Sequence, residues 1–123
     1  MTDPRHARGR AAEEAVADWL AEHGWQVLAT RYRVAAGEVD VVALDRGRTL
    51  VGVEVRLRRT ARSGDPATSL DRRHLRRVGA ALIAFARETA VPHRGLRLDL
   101  VAVGPGPGPG TWRLSRLPGV DGW

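Results

Sequence analysis

The sequence predicts an α+β (or α/β) fold in which a mixed central sheet is flanked by helices, in the chain order α-β-β-β-α-β-β. Two segments repeat apolar residues at intervals of three and four, as amphipathic helices do. Five others carry alternating or continuous apolar residues between turn signals, as strands do. A chain of 123 residues is long enough for one core and too short for two. We expect a single domain over residues 1–123, with a flexible N-terminus at 1–8 and a flexible tail at 118–123.

The first helix is predicted over residues 9–23, with Gly24 as its C-terminal stop. At about 100° per residue, Glu13 falls at the edge of the apolar stripe, and Glu14 points to the opposite side. For Glu13 alone, a solvated position on the helix is the simpler interpretation. The stripe consists of Ala12, Val16, Trp19, Leu20 and His23.

Residues 25–34 alternate loosely, as a first strand would, and residues 37–58 read as a β-hairpin around the turn DRGR. This hairpin carries three acids, Glu38, Asp40 and Glu54, inside apolar runs. Burying a bare carboxylate costs roughly several kcal/mol, so a core-facing acid must be paired, protonated or bound to a cation. Glu38, at the strand entrance, has the simplest alternative, which is exposure to solvent.

Turn geometry decides which residues of the hairpin face each other. A three-residue loop at 46–48 would place Asp40 directly opposite Glu54, whereas a two-residue loop would break this pairing. Alternation predicts two sets of residues that each share a face: Glu38, Asp40, Val42 and Leu44, and Gly52, Glu54, Arg56 and Arg58.

Two opposed carboxylates repel each other unless a cation lies between them, and a hard divalent ion such as Mg²⁺ or Mn²⁺ suits oxygen ligands. The main-chain carbonyl of Val55 could join such a site. Arg56 could neutralise charge on a scissile phosphate or orient the attacking water, but a permanently protonated guanidinium cannot be a general base. The alternative is a plain ion network between Asp40, Glu54 and arginines such as Arg56.

A second helix is predicted over residues 69–88, with Leu75, Val78, Leu82 and Phe85 facing inward. Within it, His74 is expected to contact phosphate or solvent rather than act as a base.

Two further strands are predicted at 96–103 and 111–117. In the first of them, Asp99 is expected to pair with an arginine such as Arg97 or Arg73. The Gly-Pro stretch at 104–110 is predicted to be an exposed connection outside any helix or ladder.

Charge is concentrated in one segment. Between Arg56 and Arg77 there are eight arginines and two aspartates, so the local excess equals the chain's net charge of +6. A basic segment on an otherwise balanced domain is typical of a protein that binds the phosphate backbone of nucleic acid. The alternative is a solvated surface that confers solubility. All twenty basic residues are arginine, which a GC-rich genome would also produce.

Other classes of protein are disfavoured. The chain has no cysteine, and its four histidines are far apart, which excludes a disulfide framework and a local zinc cluster. No apolar run approaches the ~20 residues of a membrane span, and MTDPRHARGR is unlike a signal peptide. We therefore expect a cytoplasmic protein without a membrane partner.

Several short motifs together resemble the YraN family of small bacterial proteins over roughly residues 9–103. They are G-x-x-x-E at Gly9 and Glu13, GEVD at 37–40, VEVRLRR at 53–59, SGDP at 63–66 and RLDLVAV at 97–103. That family is similar to the PD-(D/E)xK nucleases, with their restriction-endonuclease-like core, and its motif layout resembles that of archaeal-type Holliday junction resolvases. The resemblance implies that Glu13, Asp40 and Glu54 bind the metal and that Arg56 stands where the superfamily has lysine.

These observations lead to the expectation of a Mg²⁺- or Mn²⁺-dependent endonuclease that hydrolyses phosphodiester bonds of DNA, including branched structures. Resolvase-like action would need two active sites and hence a homodimer. The alternatives are a non-catalytic nucleic-acid-binding module of the same fold and a protein-interaction domain with an acidic partner. The residues expected to contact phosphates are Arg58, Arg59, Arg62, Arg72, Arg73, Arg76 and Arg77.

Overall fold

The computed structural model describes the backbone of residues 4–58, 71–120 and 123, and the side chains of these residues apart from 4–8. Within them the chain forms two helices and five strands in the predicted order. The elements are α1 (Pro4–Glu22), β1 (Gln26–Val34), β2 (Gly37–Leu44), β3 (Leu50–Leu57), α2 (Arg72–Thr89), β4 (Leu96–Pro105) and β5 (Trp112–Leu117).

The five strands form one mixed sheet in the order β1-β2-β3-β4-β5. Neighbours pair antiparallel except β3 and β4, which run parallel and are joined through α2. A parallel pair needs a long crossover connection, and the helix supplies it. The predicted α+β fold with a mixed central sheet is therefore confirmed.

Each helix covers one apolar layer of the sheet. The inward face predicted for α2 is confirmed, since its four residues are buried and pack with Val42, Leu44 and Leu50. On the other layer, Ala12, Val16 and Leu20 of α1 pack against alternate residues of β3 and β4. The sheet is thus enclosed by apolar contacts on both faces. The residues of β3 and β4 beneath α1 are Val51, Val53, Val101 and Val103.

Helix boundaries differ from the predicted ones for local reasons. Helix α1 begins at Pro4, five residues early, which suits a residue that lacks a backbone N–H. His23, predicted within its apolar stripe, is exposed because it follows the last helical turn. Helix α2 begins only at Arg72, because the Asp71 side chain caps it by accepting a hydrogen bond from the backbone N–H of His74.

The Gly-Pro stretch is partly a strand, contrary to the prediction. Gly104 and Pro105 end β4 and pair with Arg113 and Trp112 of β5. Pro105 is tolerated because the pairing of β4 with β3 has already ended at Val103, so no neighbour on that side needs its missing N–H.

Three described residues of the predicted tail, Gly119, Val120 and Trp123, contact the body of the protein. The Gly119 N–H donates to Oδ1 of Asp99 at 3.0 Å, and the Val120 N–H donates to the Leu98 carbonyl at 2.7 Å. The Trp123 ring lies against Gly79 of α2, where any added Cβ would meet it at 2.4 Å.

The hairpin between β2 and β3 has the predicted three-residue loop. Asp45 and Thr49 close it, with the Asp45 N–H donating to the Thr49 carbonyl at 3.0 Å. The register pairs Val41 with Val53 and Val42 with Gly52, and just beyond the last of these pairs the side chains of Asp40 and Glu54 interact. A short turn therefore determines which acids meet.

Alternation along β2 is interrupted near Asp40, so the predicted common face of that strand is only partly correct. Val39 and Val42 both belong to the core beneath α2, although residues three apart on a regular strand face opposite ways. Val41 belongs to the core beneath α1. On β1, the nearby Arg31 has a left-handed backbone with φ of +53°. The irregularity of both strands therefore lies at Asp40.

Candidate active site

Two acids meet where the β2–β3 ladder ends, and we call Asp40 and Glu54 the acidic pair. Their carboxyl groups are hydrogen-bonded to each other. Oδ2 of Asp40 also accepts a hydrogen bond from the Val55 backbone N–H at 2.8 Å, so a side chain takes the place of a ladder partner. The hairpin thus fixes the position of Asp40 through the main chain of the neighbouring strand.

Burial raises the pKa of both carboxyl groups. For Glu54, which is 8% exposed, burial and then the nearby Asp40 carboxylate raise the pKa to about 8, against a smaller opposing effect of Arg56. Burial also raises the pKa of Asp40, although the hydrogen bonds from Val55 and Glu54 oppose this shift. The pair therefore keeps a proton to a higher pH than either carboxyl group would in water.

Glu13 of α1 lies close to Asp40, one member of the acidic pair. Its pKa is raised first by burial and then by the Asp40 carboxylate, with Arg31 and Arg33 opposing the shift. Glu13 and Asp40 also line a small cavity of about 40 Å³ with these arginines. Glu13 was predicted at the edge of the apolar stripe of α1, and this position directs its side chain toward Asp40.

His74 belongs to this site, although the sequence favoured a phosphate or surface contact for it. Its Nε2 lies 2.8 Å from Oε1 of Glu54, and the side chain is half-buried. Its position could have been read from the sequence, because it lies four and eight residues before Val78 and Leu82 on the inward face of α2.

Arg56 follows Glu54 on the same strand, and its Nε lies 3.8 Å from Oε1 of Glu54. Among the described residues, Nε of Arg56 and Oε2 of Glu13 are buried without a hydrogen bond. The nearest cation that contacts Glu13 is Arg31, whose Nε is 3.7 Å from Oε2. A buried polar atom without a hydrogen bond costs roughly 1–3 kcal/mol, so these atoms are suited to a ligand that would supply one.

The donor set fits Mg²⁺ or Mn²⁺ with two carboxylates. Within the described part of the chain, no three His, Asp or Glu side chains are arranged to hold a metal ion by themselves. Mg²⁺ commonly binds through one or two carboxylates and completes its shell with waters and substrate phosphates. The carboxyl oxygens of the acidic pair and Oε2 of Glu13, which accepts no hydrogen bond, are hard oxygen donors of this kind.

A row of exposed arginines begins at the same end of α2 as His74. We call Arg72, Arg73, Arg76 and Arg77 the arginine row; all four are exposed. Because His74 contacts Glu54, the row starts beside the acidic pair. Arg58 lies just past the end of β3 and is half-buried. The predicted contacts Arg59 and Arg62, and the SGDP motif, lie outside the described residues.

Asp99 lies apart from this site in an ion network. The predicted pairing with Arg97 is confirmed at 2.7 Å between Nε and Oδ1, and Nη1 of Arg116 is 2.9 Å from Oδ2. The guanidinium groups of both arginines also lie over the Trp25 ring, at 5.9 and 5.2 Å from its centroid. These contacts give Asp99 a structural role.

No helix in the described part of the chain is both long and apolar enough to cross a membrane.

Comparison with known proteins identifies one family. The profile of the uncharacterised protein family UPF0102 matches residues 12–103. A UPF0102 protein of Sphingopyxis alaskensis is 43% identical over 99 residues, which cover 80% of this chain and 83% of the relative. One from Anaeromyxobacter dehalogenans is 43% identical over 105 residues, covering 82% and 75%. One from Moorella thermoacetica is 36% identical over 103 residues, covering 84% and 85%.

Proposed function

The chain belongs to the uncharacterised protein family UPF0102, the YraN family, and from this premise we propose that it is a metal-dependent nuclease that hydrolyses phosphodiester bonds of DNA. The observation that carries the proposal is the contact between the carboxyl groups of half-buried Asp40 and buried Glu54, beside an arginine and at the start of the arginine row. Perturbed acids next to a phosphate-binding surface are typical of such sites.

Each residue has a separate part in this proposal. Asp40 and Glu54 hold Mg²⁺ or Mn²⁺, and Glu13 completes or orients the site. When bound, the ion supplies Lewis-acid stabilisation of phosphoryl charge and lowers the pKa of a bound water. His74 holds the Glu54 carboxyl in one orientation through its 2.8 Å contact. Arg56 stabilises negative charge on the phosphate as a fixed cation and cannot take up a proton.

The arginine row supplies sequence-independent contacts. Exposed guanidinium groups bind phosphate oxygens and position the duplex, but they carry no base readout. We therefore propose selectivity for the structure of the DNA rather than for its sequence, with branched and flapped DNA as the first substrates to test. A homodimer would be needed for paired cuts across a junction.

The decisive experiment is cleavage of plasmid, flapped and branched DNA with Mg²⁺ or Mn²⁺. Glu54→Gln and Asp40→Asn are expected to lower the cleavage rate at least about 100-fold, because each removes a carboxylate from the site. Glu14→Gln is the matched control, since Glu14 is exposed on α1 next to Glu13. The proposal is wrong if no substrate gives a metal-dependent product.

A second candidate is a non-catalytic nucleic-acid-binding module. It is favoured by the lack, among the described residues, of three side chains preformed to hold a metal, and by Arg56 at the lysine position. It predicts binding that weakens steeply with salt, without cleavage in any metal.

A further inference from the structure

A cavity of about 460 Å³ lies at the end of the sheet where β3 and β4 finish and β5 begins. We call it the β5 cavity. Its lining comes from β3, β4 and β5 together, so it crosses three neighbouring strands. The residues that line it include Arg58, Ala102, Gly104, Arg113 and Ser115.

The β5 cavity faces the same side of the sheet as the Glu54 carboxyl group. Arg56 pairs with Ala102, which pairs with Ser115, so these three residues form one row across the strands. Residues that pair directly face the same side of a sheet, and so do residues two apart on one strand. Glu54 precedes Arg56 by two residues and contacts His74 of α2. The row therefore lies on the α2 side of the sheet.

The packing of neighbouring residues agrees with this assignment. Val55 and Leu114 pack against the core beneath α1, so the residues before and after each of them face α2. Gly104 pairs with Arg113, and a Cβ added to Gly104 would lie 3.8 Å from Cβ of Arg58. Arg58 and Arg113 therefore line one cavity from β3 and β5.

Helix α2 leaves the β5 part of this face uncovered. Among the described residues, the core beneath α2 contains none from β5. Leu117, which lies in the same row of strand partners as Glu54, is 46% exposed. Arg113 and Ser115 are exposed as well. A ligand can therefore reach these side chains beside the acidic pair.

Charge and spacing favour a phosphate group as the occupant. The described residues that line the cavity include two arginines and one serine hydroxyl, and no acid. Guanidinium groups bind phosphate oxygens with two parallel hydrogen bonds. At about 4.8 Å between strands and about 3.4 Å between residues, Ser115 and Arg113 lie roughly 10–12 Å from Arg56. This distance spans about three nucleotides at a rise of about 3.4 Å each.

The arginine row lies on the other side of Glu54. The backbone of Arg77 lies against Gly37 of β2, whereas the β5 cavity extends over β4 and β5. Strand β3 lies between β2 and β4, so Glu54 lies between the arginine row and the cavity. One DNA strand can therefore contact both while it passes the acidic pair.

We propose that the β5 cavity binds a second phosphate of the DNA strand that is cut, about three nucleotides from the scissile phosphate. This inference rests on the proposed function and deepens it. Arg113 and Ser115 bind the second phosphate, and the strand crosses the sheet from β2 to β5 on the α2 side. The substrate must therefore have a charged backbone for about three nucleotides on that side of the cut.

The first test replaces single phosphates of a flapped DNA by uncharged methylphosphonates and measures binding by fluorescence anisotropy without divalent ions. One neutral linkage should weaken binding by the unaltered protein about tenfold, because a hydrogen-bonded charge pair is lost. The same linkage should have no further effect on Arg113→Gln. Arg56→Gln should be insensitive to a different linkage, about three nucleotides away on the same strand. Additive effects of Arg113→Gln and every linkage would overturn the proposal.

The salt dependence of binding provides the second test. Arg113→Gln should lower its slope by about one counterion, because one phosphate contact is lost. Arg113→Lys keeps the charge and should retain the slope. An unchanged slope in Arg113→Gln would overturn the proposal.

Arg116→Gln and Arg94→Gln are the matched controls. Arg116 belongs to the same strand as Arg113, but it contacts Asp99 on the α1 side of the sheet. Arg94 lies at the opposite end of the sheet, where its N–H donates to the Arg48 carbonyl. Thermal unfolding shows that each variant is folded at the temperature of the assay. Loss of sensitivity to the same linkage in either control would overturn the proposal.

Two outcomes distinguish the β5 cavity from the nuclease activity. Cleavage that needs Glu54, with sensitivity to every linkage unchanged in Arg113→Gln, would reject the cavity and keep the nuclease. Loss of sensitivity to one linkage in Arg113→Gln, without cleavage in Mg²⁺ or Mn²⁺, would keep the cavity on a non-catalytic binding module.

Discussion

Nε2 of His74 lies 2.8 Å from Oε1 of Glu54, and this contact joins the first turn of α2 to the middle of the sheet. The imidazole is held in place because the backbone N–H of His74 donates to the capping Asp71 side chain at 2.7 Å. Glu54 is therefore oriented from the helix, while Asp40 is oriented from the main chain of β3. The two acids are therefore held in contact by different parts of the fold.

Replacing His74 should show whether its hydrogen bond orients the Glu54 carboxyl group for metal binding. His74→Leu removes the hydrogen bond to Glu54 and is expected to lower Mn²⁺ affinity or cleavage 10–100-fold, as loss of a group that orients a metal ligand usually does. His74→Gln can still donate to Oε1 and should retain most of both. Calorimetric titration with Mn²⁺ and single-turnover cleavage measure the two effects. Equal behaviour of both variants would assign His74 a packing role only.

Stability should fall as the pH rises through the range in which the acidic pair titrates. The pKa of Glu54 is raised from 4.5 to about 8, so between these values the folded protein keeps a proton that the unfolded chain releases. Unfolding then releases a proton, and the free energy of unfolding decreases with pH. The contribution of Glu54 is complete below pH 4.5 and is lost by about pH 8. It is roughly 3–5 kcal/mol at 1.36 kcal/mol per pKa unit.

Glu54→Gln provides the control for this pH dependence, because an amide resembles the protonated acid in shape and stays uncharged. Urea unfolding at pH 5 should give similar stabilities for the variant and the unaltered protein. At pH 8.5 the variant should be the more stable of the two. Parallel pH profiles would contradict the raised pKa of Glu54.

Divalent ions should reverse this loss of stability. A metal bound by Asp40 and Glu54 replaces the proton that the pair keeps, so its affinity should rise with pH up to about 8, the pKa of Glu54. At a metal concentration 100 times the Kd, the protein should gain about 2.7 kcal/mol of stability. Thermal unfolding with and without Mn²⁺ at pH 6 and 8.5 measures the gain. An equal shift in the Asp40→Asn, Glu54→Gln double variant would place the ion elsewhere.

The hairpin was predictable because its determinants are local. A three-residue turn sets the register, and the register ends with Val41 opposite Val53, directly before Asp40 and Glu54. The contact of Glu54 with His74 depends instead on where α2 crosses the sheet, which no short stretch of sequence encodes. The spacing of His74 from Val78 nevertheless indicated an inward position. The arginines on both sides of His74 favoured a surface contact instead.

Other differences arise from tertiary contacts that override local preference. Pro105 enters a strand because β4 extends beyond its neighbour β3, and Arg31 adopts a left-handed backbone beside the interrupted part of β2. Gly37 permits that part of β2 to touch α2, since a Cβ there would lie 1.9 Å from the Arg77 carbonyl oxygen. Such a close approach of two backbone segments requires glycine, but the glycine alone does not show which segment lies against it.

Asp99 should be required for stability rather than for cleavage. Its side chain is fully buried and accepts from Arg97, Arg116 and the Gly119 N–H. Removing one partner from a buried ion network leaves uncompensated charge, so Asp99→Ala should lose about 3–5 kcal/mol of unfolding free energy. Arg116→Gln should lose about 1 kcal/mol, because that guanidinium is partly solvated and Arg97 still neutralises the aspartate. Urea unfolding at pH 7 measures both losses.

Cleavage by Asp99→Asn distinguishes this structural role from a catalytic one. The amide keeps the size of the side chain but removes its charge, so part of the network survives and folded protein should be recoverable at low temperature. The rate per folded molecule at saturating Mn²⁺ should stay within about twofold of the unaltered enzyme, since Asp99 does not contact Asp40, Glu54 or His74 among the described residues. A rate that fell as far as that of Glu54→Gln, with stability preserved, would place Asp99 among the catalytic acids and extend the site across the sheet.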